Sequence, residues 1–196
     1  MSISDYIVPI FSEGAFNGTG FIIGSTLVTA AHVVEFKENV CYFLYEKEKI
    51  SIGPDNNIKF EYQEESMQGM DNRYWDLAIY KLDNIDSPMK LHLPDLSKPC
   101  TYQGFSDVAQ LDVYTDIMLD NNAFYYPDNY KKPIRIKNCY ISKVGKCKEG
   151  NSGGPLFQGD HVIGMLSGGQ QLFNLSWDRI IKADYINSIF LKKGLI

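Results

Sequence analysis

Gly150-Asn151-Ser152-Gly153-Gly154-Pro155, set between Cys147-Lys148-Glu149 and Leu156-Phe157, is the stretch on which the reading of this chain turns. A serine among glycines, followed by an apolar run, is either a plain tight turn between strands or a chemical site. Glycine lets the backbone turn sharply and lets another chain approach closely. Successive backbone N–H groups in such a turn converge on one point and make a nest for an anion. If that anion is the oxygen of a tetrahedral intermediate, the turn stabilises acyl transfer and Ser152 is the nucleophile. A hydroxyl nucleophile needs a base and a group that orients the base, so the reading moves upstream.

Ser25-Thr26-Leu27-Val28-Thr29-Ala30-Ala31-His32-Val33-Val34 reads as a β-branched strand that ends in small residues and a histidine. Alone, His32 would be taken for a hydrogen-bonded core histidine. Asp76 opens the alternating run Trp75-Asp76-Leu77-Ala78-Ile79-Tyr80-Lys81-Leu82. A carboxylate beside Trp75 and Leu77 is costly to bury unless paired, and a histidine N–H is a suitable partner. The plain alternative is a surface cap, with Asp71 an equivalent neighbour.

Of the 196 residues, 44% are apolar and 22% charged, which allows one compact unit or two half-domains with a real core. Aromatics at 13% and many short apolar runs favour strands. The net charge is -5 and no Lys/Arg run exceeds two residues, so nucleic acid is not an expected partner. No apolar run is long enough for a membrane span. The start lacks a basic, then apolar leader, which predicts a cytoplasmic protein, or a secreted one whose leader has been trimmed. Without a leader, Cys41, Cys100, Cys139 and Cys147 are expected as free thiols. No CxxC pair occurs and His32, His92 and His161 are scattered, so neither a metal nor a cofactor is expected. Gly18-Thr19-Gly20 resembles the opening of a dinucleotide fingerprint, but the next glycine is one position late and no helix pattern follows.

Strands are expected at 5–12, with Pro9 at an edge or bulge, and at 39–45, 48–52, 57–63, 100–105, 110–118, 134–144 and 161–169, with a last one near Ile180-Ile181. Residues 120–133 read as a long loop. Asp184 to Gly194 is the one good helix, with Asp184 as N-cap, an Ile186/Ile189/Phe190 face and Gly194 as its stop. Three prolines in the 83–99 stretch mark a linker. The expected division is an N-terminal unit over 1–83, a linker over 84–99, a C-terminal unit over 100–183 and a helix over 184–196.

Taken together, Thr29-Ala30-Ala31-His32, Asp76-Leu77-Ala78-Ile79 and Gly150-Asn151-Ser152-Gly153-Gly154-Pro155 resemble, in order and spacing, the three motifs of trypsin-like (chymotrypsin-fold) serine peptidases. The likeness spans roughly 14–190 and is closest in form to compact bacterial or viral members. The resemblance implies an all-β fold of two six-stranded antiparallel β-barrels, with the site in the cleft between them, and a C-terminal helix. It implies Ser152 as nucleophile, His32 as general base and then acid, and Asp76 as the group that orients His32. It implies an oxyanion hole from the N–H groups of Gly150 and Ser152, and substrate pairing along Ser167-Gly168-Gly169. The implied function is a serine endopeptidase acting on a protein or peptide substrate, and a monomer is expected. A silent binding module on the same fold, or an esterase or acyltransferase with the same triad, are the other readings.

Asn151 departs from the family, whose animal members carry an aspartate there to pair with a freshly cut N-terminus, so activation by processing is not expected. Ala31 replaces their cysteine beside the base. The side chain before the scissile bond is expected to enter a pocket walled by 144–149, by Ser167-Gly168-Gly169 and by the strand near Ile180. Lys146 at its floor, with Arg179 approaching, predicts cleavage after Glu or Asp. A solvent-pointing Lys146 would leave a pocket for an apolar or small residue.

Overall fold

The structure is a computed structural model that describes residues 2–34, 41–52, 57–59, 76–125, 134–142, 147–172 and 175–195. A single 3-10 turn, Ile3–Tyr6, precedes β1 (Ile7–Ser12), β2 (Ala15–Ile23) and β3 (Thr26–Thr29). One helical turn, α1 (Ala31–Val34), follows. Then come β4 (Cys41–Tyr45), β5 (Glu48–Ile52), β6 (Asn57–Lys59) and β7 (Ala78–Lys81). These strands form one antiparallel sheet in the order β5-β4-β1-β2-β3-β7-β6. Pro9 lies next to a bulge at Ile10/Phe11 and pairs only with β2, because β4 joins β1 from Ile10 onward. That placement suits a residue with no N–H to donate.

The second half contributes β8 (Lys90–Leu91), β9 (Cys100–Asp107), β10 (Gln110–Ile117) and β11 (Leu119–Asp120). It continues with β12 (Phe124–Tyr125), β13 (Ile134–Arg135), β14 (Cys139–Ser142), β15 (Pro155–Gln158), β16 (His161–Leu172) and β17 (Leu175–Lys182). The second sheet runs β10-β9-β15-β16-β17-β14-β11, with β8 added in parallel to β16, and β12 and β13 form a separate ribbon. The chain is thus all-β, with two curled antiparallel sheets and the C-terminal helix α2 (Ala183–Lys193).

Several boundaries differ from the sequence reading. Among the described residues the sheets hold seven and eight strands, where six each were expected, and the linker supplies one of them. Residues 83–99 are therefore not a bare connection: β8 lies along His161–Val162, and Ser87 bridges to Gly24. The 110–118 run breaks after Ile117, next to Asp116 at φ 60. The 134–144 run splits into β13 and β14, because Ile136 N–H turns away to Ala123 C=O. The last strand is longer than expected and starts at Leu175. The strands expected at 39–45 and 57–63 are present over Cys41–Tyr45 and Asn57–Lys59, and their remaining positions lie outside the described residues.

α2 begins one residue early, at Ala183, so Lys182 holds the N-cap position and Asp184 sits in the first turn. Its Oδ1 accepts the N–H of Tyr185 instead of closing the helix end. Gly194 ends the helix in the left-handed conformation, φ 66, donating to Leu191 C=O. The Ile186, Ile189 and Phe190 face is buried in a core that also takes in Val8, Phe21 and Leu27 of the first sheet and Val162 and Met165 of the second. Burying each of those helix side chains is worth about 2 kcal/mol, and Phe190→Ala would cost about 3–5 kcal/mol.

Candidate active site

His32 is not at a strand end. β3 stops at Thr29 and the chain turns into α1, with His32 in the first turn. The reason is Asp76, whose carboxylate caps that turn by accepting the backbone N–H of His32 at 3.0 Å. The same carboxylate faces the ring: Nδ1 is 2.9 Å from Oδ2 and 3.0 Å from Oδ1. Ser167 donates its hydroxyl to Oδ2 as a further bond. Asp76 is fully buried, whereas the His32 side chain is 42% exposed. A buried carboxylate with its lone pairs filled this way is held in one orientation. With the Nδ1 proton facing Asp76, Nε2 keeps the lone pair a base needs.

Ser152 comes from the other sheet, on the turn between β14 and β15. Three features fix that turn from below. Asn151 is fully buried, and its Oδ1 accepts Lys148 N–H at 2.7 Å while its Nδ2 reaches Asp112 Oδ2 at 3.5 Å. Tyr102 donates its hydroxyl to Asn151 C=O. Lys148 Nζ stands 3.6 Å from Asp112 Oδ2. Hydrogen bonding from Ser106 first, and the surroundings of Asn151, Lys148 and Tyr114 with it, hold the Asp112 carboxyl below its usual range. Asn151, the departure from the family noted above, thus has its side chain committed locally.

From above, the turn is pressed onto β2. Thr19 N–H donates to Ser152 C=O at 2.9 Å, and Thr19 Oγ1 donates to Gly150 C=O at 3.0 Å. Thr19 Oγ1 also accepts Phe105 N–H at 2.8 Å, and Thr19 C=O accepts Thr29 Oγ1 at 2.7 Å. Gly150 and Gly153 have φ of +86 and +89, values that disfavour any side chain. A Cβ at 153 would sit 2.0 Å from Thr19 O, and one at 150 would sit 2.5 Å from Phe16 Cε1.

The N–H groups of this turn divide into two sets. Asn151 donates to Lys148 C=O, Gly153 to Leu166 C=O and Gly154 to Asn151 C=O. Among the described residues, the N–H groups of Gly150 and Ser152 have no acceptor. Ser152 Oγ likewise has no hydrogen-bond partner among them, and no bond joins it to His32. Gly168 brings β16 beside it: a Cβ there would lie 4.0 Å from Ser152 Oγ.

Two residues carry more than the sequence reading gave them. Ser167 was expected on the substrate strand, yet its side chain belongs to Asp76. Thr19 was met only as part of a failed dinucleotide fingerprint. A threonine between glycines in an apolar strand was the available signal of a close crossing of chains. Lys146 lies outside the described residues. Arg179 pairs across from Gly168, and its charge acts on the buried Cys139 thiol, which burial pushes up to about 12. None of the four cysteines is bonded to another. Among the described residues no three His, Cys, Asp or Glu side chains gather as a metal-binding group, and no helix is long and apolar enough to cross a membrane.

Solved structures share this architecture. The Rv3671c protease from M. tuberculosis in its active form has a TM-score of 0.69 at 18% identity, over 97% of this chain and 81% of that one. A human pathogenic astrovirus serine protease has a TM-score of 0.56 at 21% identity, over 91% and 90%. A scabies mite inactivated protease paralogue has a TM-score of 0.65 at 17% identity, over 97% and 96%. No curated protein matches the chain in sequence. The trypsin family model matches residues 3–174, and the chain, with its two curled antiparallel sheets and C-terminal helix, belongs to that family of trypsin-like serine proteases.

Proposed function

We propose that the chain is a serine endopeptidase in which Ser152, His32 and Asp76 act as a triad. The observation that carries this is the buried Asp76 carboxylate holding His32 Nδ1 at 2.9 Å, in a chain whose serine turn keeps two N–H donors uncommitted. A substrate strand pairs along the edge of β16 at Ser167-Gly168-Gly169, beside Ser152. His32 Nε2 takes the proton of Ser152 Oγ as that oxygen attacks the scissile carbonyl. The N–H groups of Gly150 and Ser152 receive the negative oxygen of the tetrahedral intermediate. The imidazolium, steadied by Asp76, then protonates the departing amine. Water, deprotonated by the same histidine, releases the acyl group from Ser152.

Two points favour a second reading, a silent protein-binding module: Ser152 Oγ is not hydrogen-bonded to His32, and one structural relative is an inactivated protease paralogue. In an unliganded protease that bond is often loose and tightens on substrate. A fluorophosphonate probe separates the two. The endopeptidase is labelled at Ser152, more slowly on acidification as His32 takes up a proton, and the Ser152→Ala variant is not labelled. A wild type that stays unlabelled and leaves a peptide library intact would establish the silent module.

A further inference from the structure

Tyr102 is fully buried on β9 and lies opposite Leu156 of β15. Its ring packs in an apolar cluster with Leu156, Leu166 and Ile180, and stacks on Tyr114 with ring centres 5.8 Å apart. A phenylalanine would fill that place as well, so the hydroxyl needs a reason of its own. It donates to the C=O of Asn151 at 2.5 Å, 49 positions further along the chain. Burial first, with the nearby Cys147 and Tyr114 adding to it, pushes the phenol well above its ordinary range, so it stays protonated and remains a donor.

The fold clears room for this oxygen twice. A Cβ at Gly104 would lie 1.7 Å from it, and one at Gly154 would lie 2.4 Å from it, with Gln103 O next at 2.6 Å. Gly104 stands two residues along β9, on the same face as Tyr102. Gly154 is the second residue after Ser152. Neither glycine has the positive φ that makes Gly150 and Gly153 necessary. At 104 it is the hydroxyl that excludes a side chain, and at 154 the hydroxyl and the Gln103 carbonyl together.

What the bond does follows from peptide geometry. The C=O of Asn151 and the N–H of Ser152 belong to one planar trans peptide and point in opposite directions. Anchoring the oxygen on one side of the turn sends the hydrogen to the other. Gly154 N–H also donates to this oxygen, at 3.1 Å, but it belongs to the turn and moves with it. Tyr102 belongs to a separate strand, held in register with both β10 and β15, and gives the peptide a fixed point outside the turn. The preceding peptide makes the contrast. Its Gly150 C=O takes the Thr19 hydroxyl and its Asn151 N–H is given to Lys148 C=O, so both of its groups are occupied. The Asn151–Ser152 peptide is anchored at oxygen and, among the described residues, open at N–H.

We propose that Tyr102 is a positioning residue of the proposed peptidase: its hydroxyl holds the Asn151–Ser152 peptide so that the Ser152 N–H faces the negative oxygen of the tetrahedral intermediate. As a statement about catalysis this rests on Ser152 being the nucleophile. As a statement about where the N–H points it does not, and the test separates the two.

Tyr102→Phe keeps the ring and deletes the hydroxyl. Assayed below its melting temperature, it is expected to lose about ten- to thirtyfold in kcat, less than the about 10²–10³ lost with a whole oxyanion donor, with KM within about twofold of the wild type. The pH midpoint of kcat/KM, set by His32, is expected to stay in place. Unchanged kcat in a folded Tyr102→Phe, or a loss confined to KM, overturns the inference. So does a shifted pH midpoint, which would put the damage at His32. The second measurement needs neither a variant nor turnover. Tyr102 O–H and Gly154 N–H share one acceptor, so the proton spectrum of the wild type should show a slowly exchanging Tyr102 hydroxyl with a cross-peak to the Gly154 amide. A hydroxyl in rapid exchange with water overturns the inference. A protected hydroxyl, with a Ser152 amide resonance that shifts in Tyr102→Phe, in a protein that neither takes the fluorophosphonate nor cuts peptides would keep the orientation and refute the peptidase. Full turnover in Tyr102→Phe would do the reverse.

Discussion

Asp76 and Ser152 stand at the two ends of one proposed relay and are treated oppositely by the fold. Asp76 is fully buried and takes bonds from His32 N–H, His32 Nδ1 and Ser167 Oγ. Ser152 Oγ has no partner among the described residues, although the backbone around it is tied on both sides. In the proposed triad the acid's task is to orient, and it is complete before substrate arrives. The nucleophile's task is to form a new bond, so its scaffold is fixed and its reacting atom is left for the substrate. Removing the acid should therefore disturb both fold and rate, and removing the nucleophile only the rate.

Ser152→Ala breaks the comparison at its open end and carries the largest expected effect. Peptide turnover should fall by about 10⁶-fold, while the unfolding free energy changes by less than about 0.5 kcal/mol. Steady-state kinetics and urea melts read the two. Asp76→Asn comes next. The amide presents a donor to a ring that also needs to donate, so the wrong tautomer is stabilised and turnover should fall about 10⁴-fold. Stability should fall with it, by about 1–3 kcal/mol, because a buried bond is lost. If Asp76→Asn proved as stable as Ser152→Ala, the contrast between the two ends would be wrong.

The middle of the relay was legible in sequence and its supports were not. The order of His32, Asp76 and the serine turn is a linear pattern, so spacing reveals it. The bond from Ser167 to Asp76 spans 91 positions and the bond from Thr19 to Gly150 spans 131, and neither has a local trace. His32 was misplaced onto a strand for the same reason: the cap that makes α1 helical comes from Asp76, 44 residues on. The pairing within the 84–99 stretch was not legible because proline marks where a chain turns, and says nothing of whether an edge such as His161–Val162 is waiting to pair with it.

Two smaller effects sharpen the contrast by testing the scaffold under Ser152. Thr19→Val keeps the shape and removes the hydroxyl that serves Gly150 C=O and Phe105 N–H. Stability should fall by about 1–3 kcal/mol, and turnover by less than in either triad variant, since the turn loosens without losing a reacting group. Asp112→Asn gives the smallest effect, a loss of stability that is present at neutral pH and fades at low pH. The Asp112 carboxyl is held below its usual range, by Ser106 first and then by Asn151 and Lys148. A lowered folded value means the stabilisation is present above the unfolded value, about 3.9, and is lost as pH falls through the lower folded one. Melting temperatures from pH 7 to 2 should drop less steeply below about pH 4 in the variant than in the wild type.

The Thr19 crossing also has a consequence in time. A ribosome delivers the first sheet, with its histidine and aspartate, well before the residues that press the serine turn onto it. The polypeptide holds Thr19 for 131 positions before Gly150 appears, and Asp76 for 91 before Ser167. Contacts so distant along the chain close late and slowly. If the proposed triad cuts peptides, a nascent chain therefore has no assembled cutting centre while its own unfolded segments, and those of its neighbours, are most exposed to cleavage.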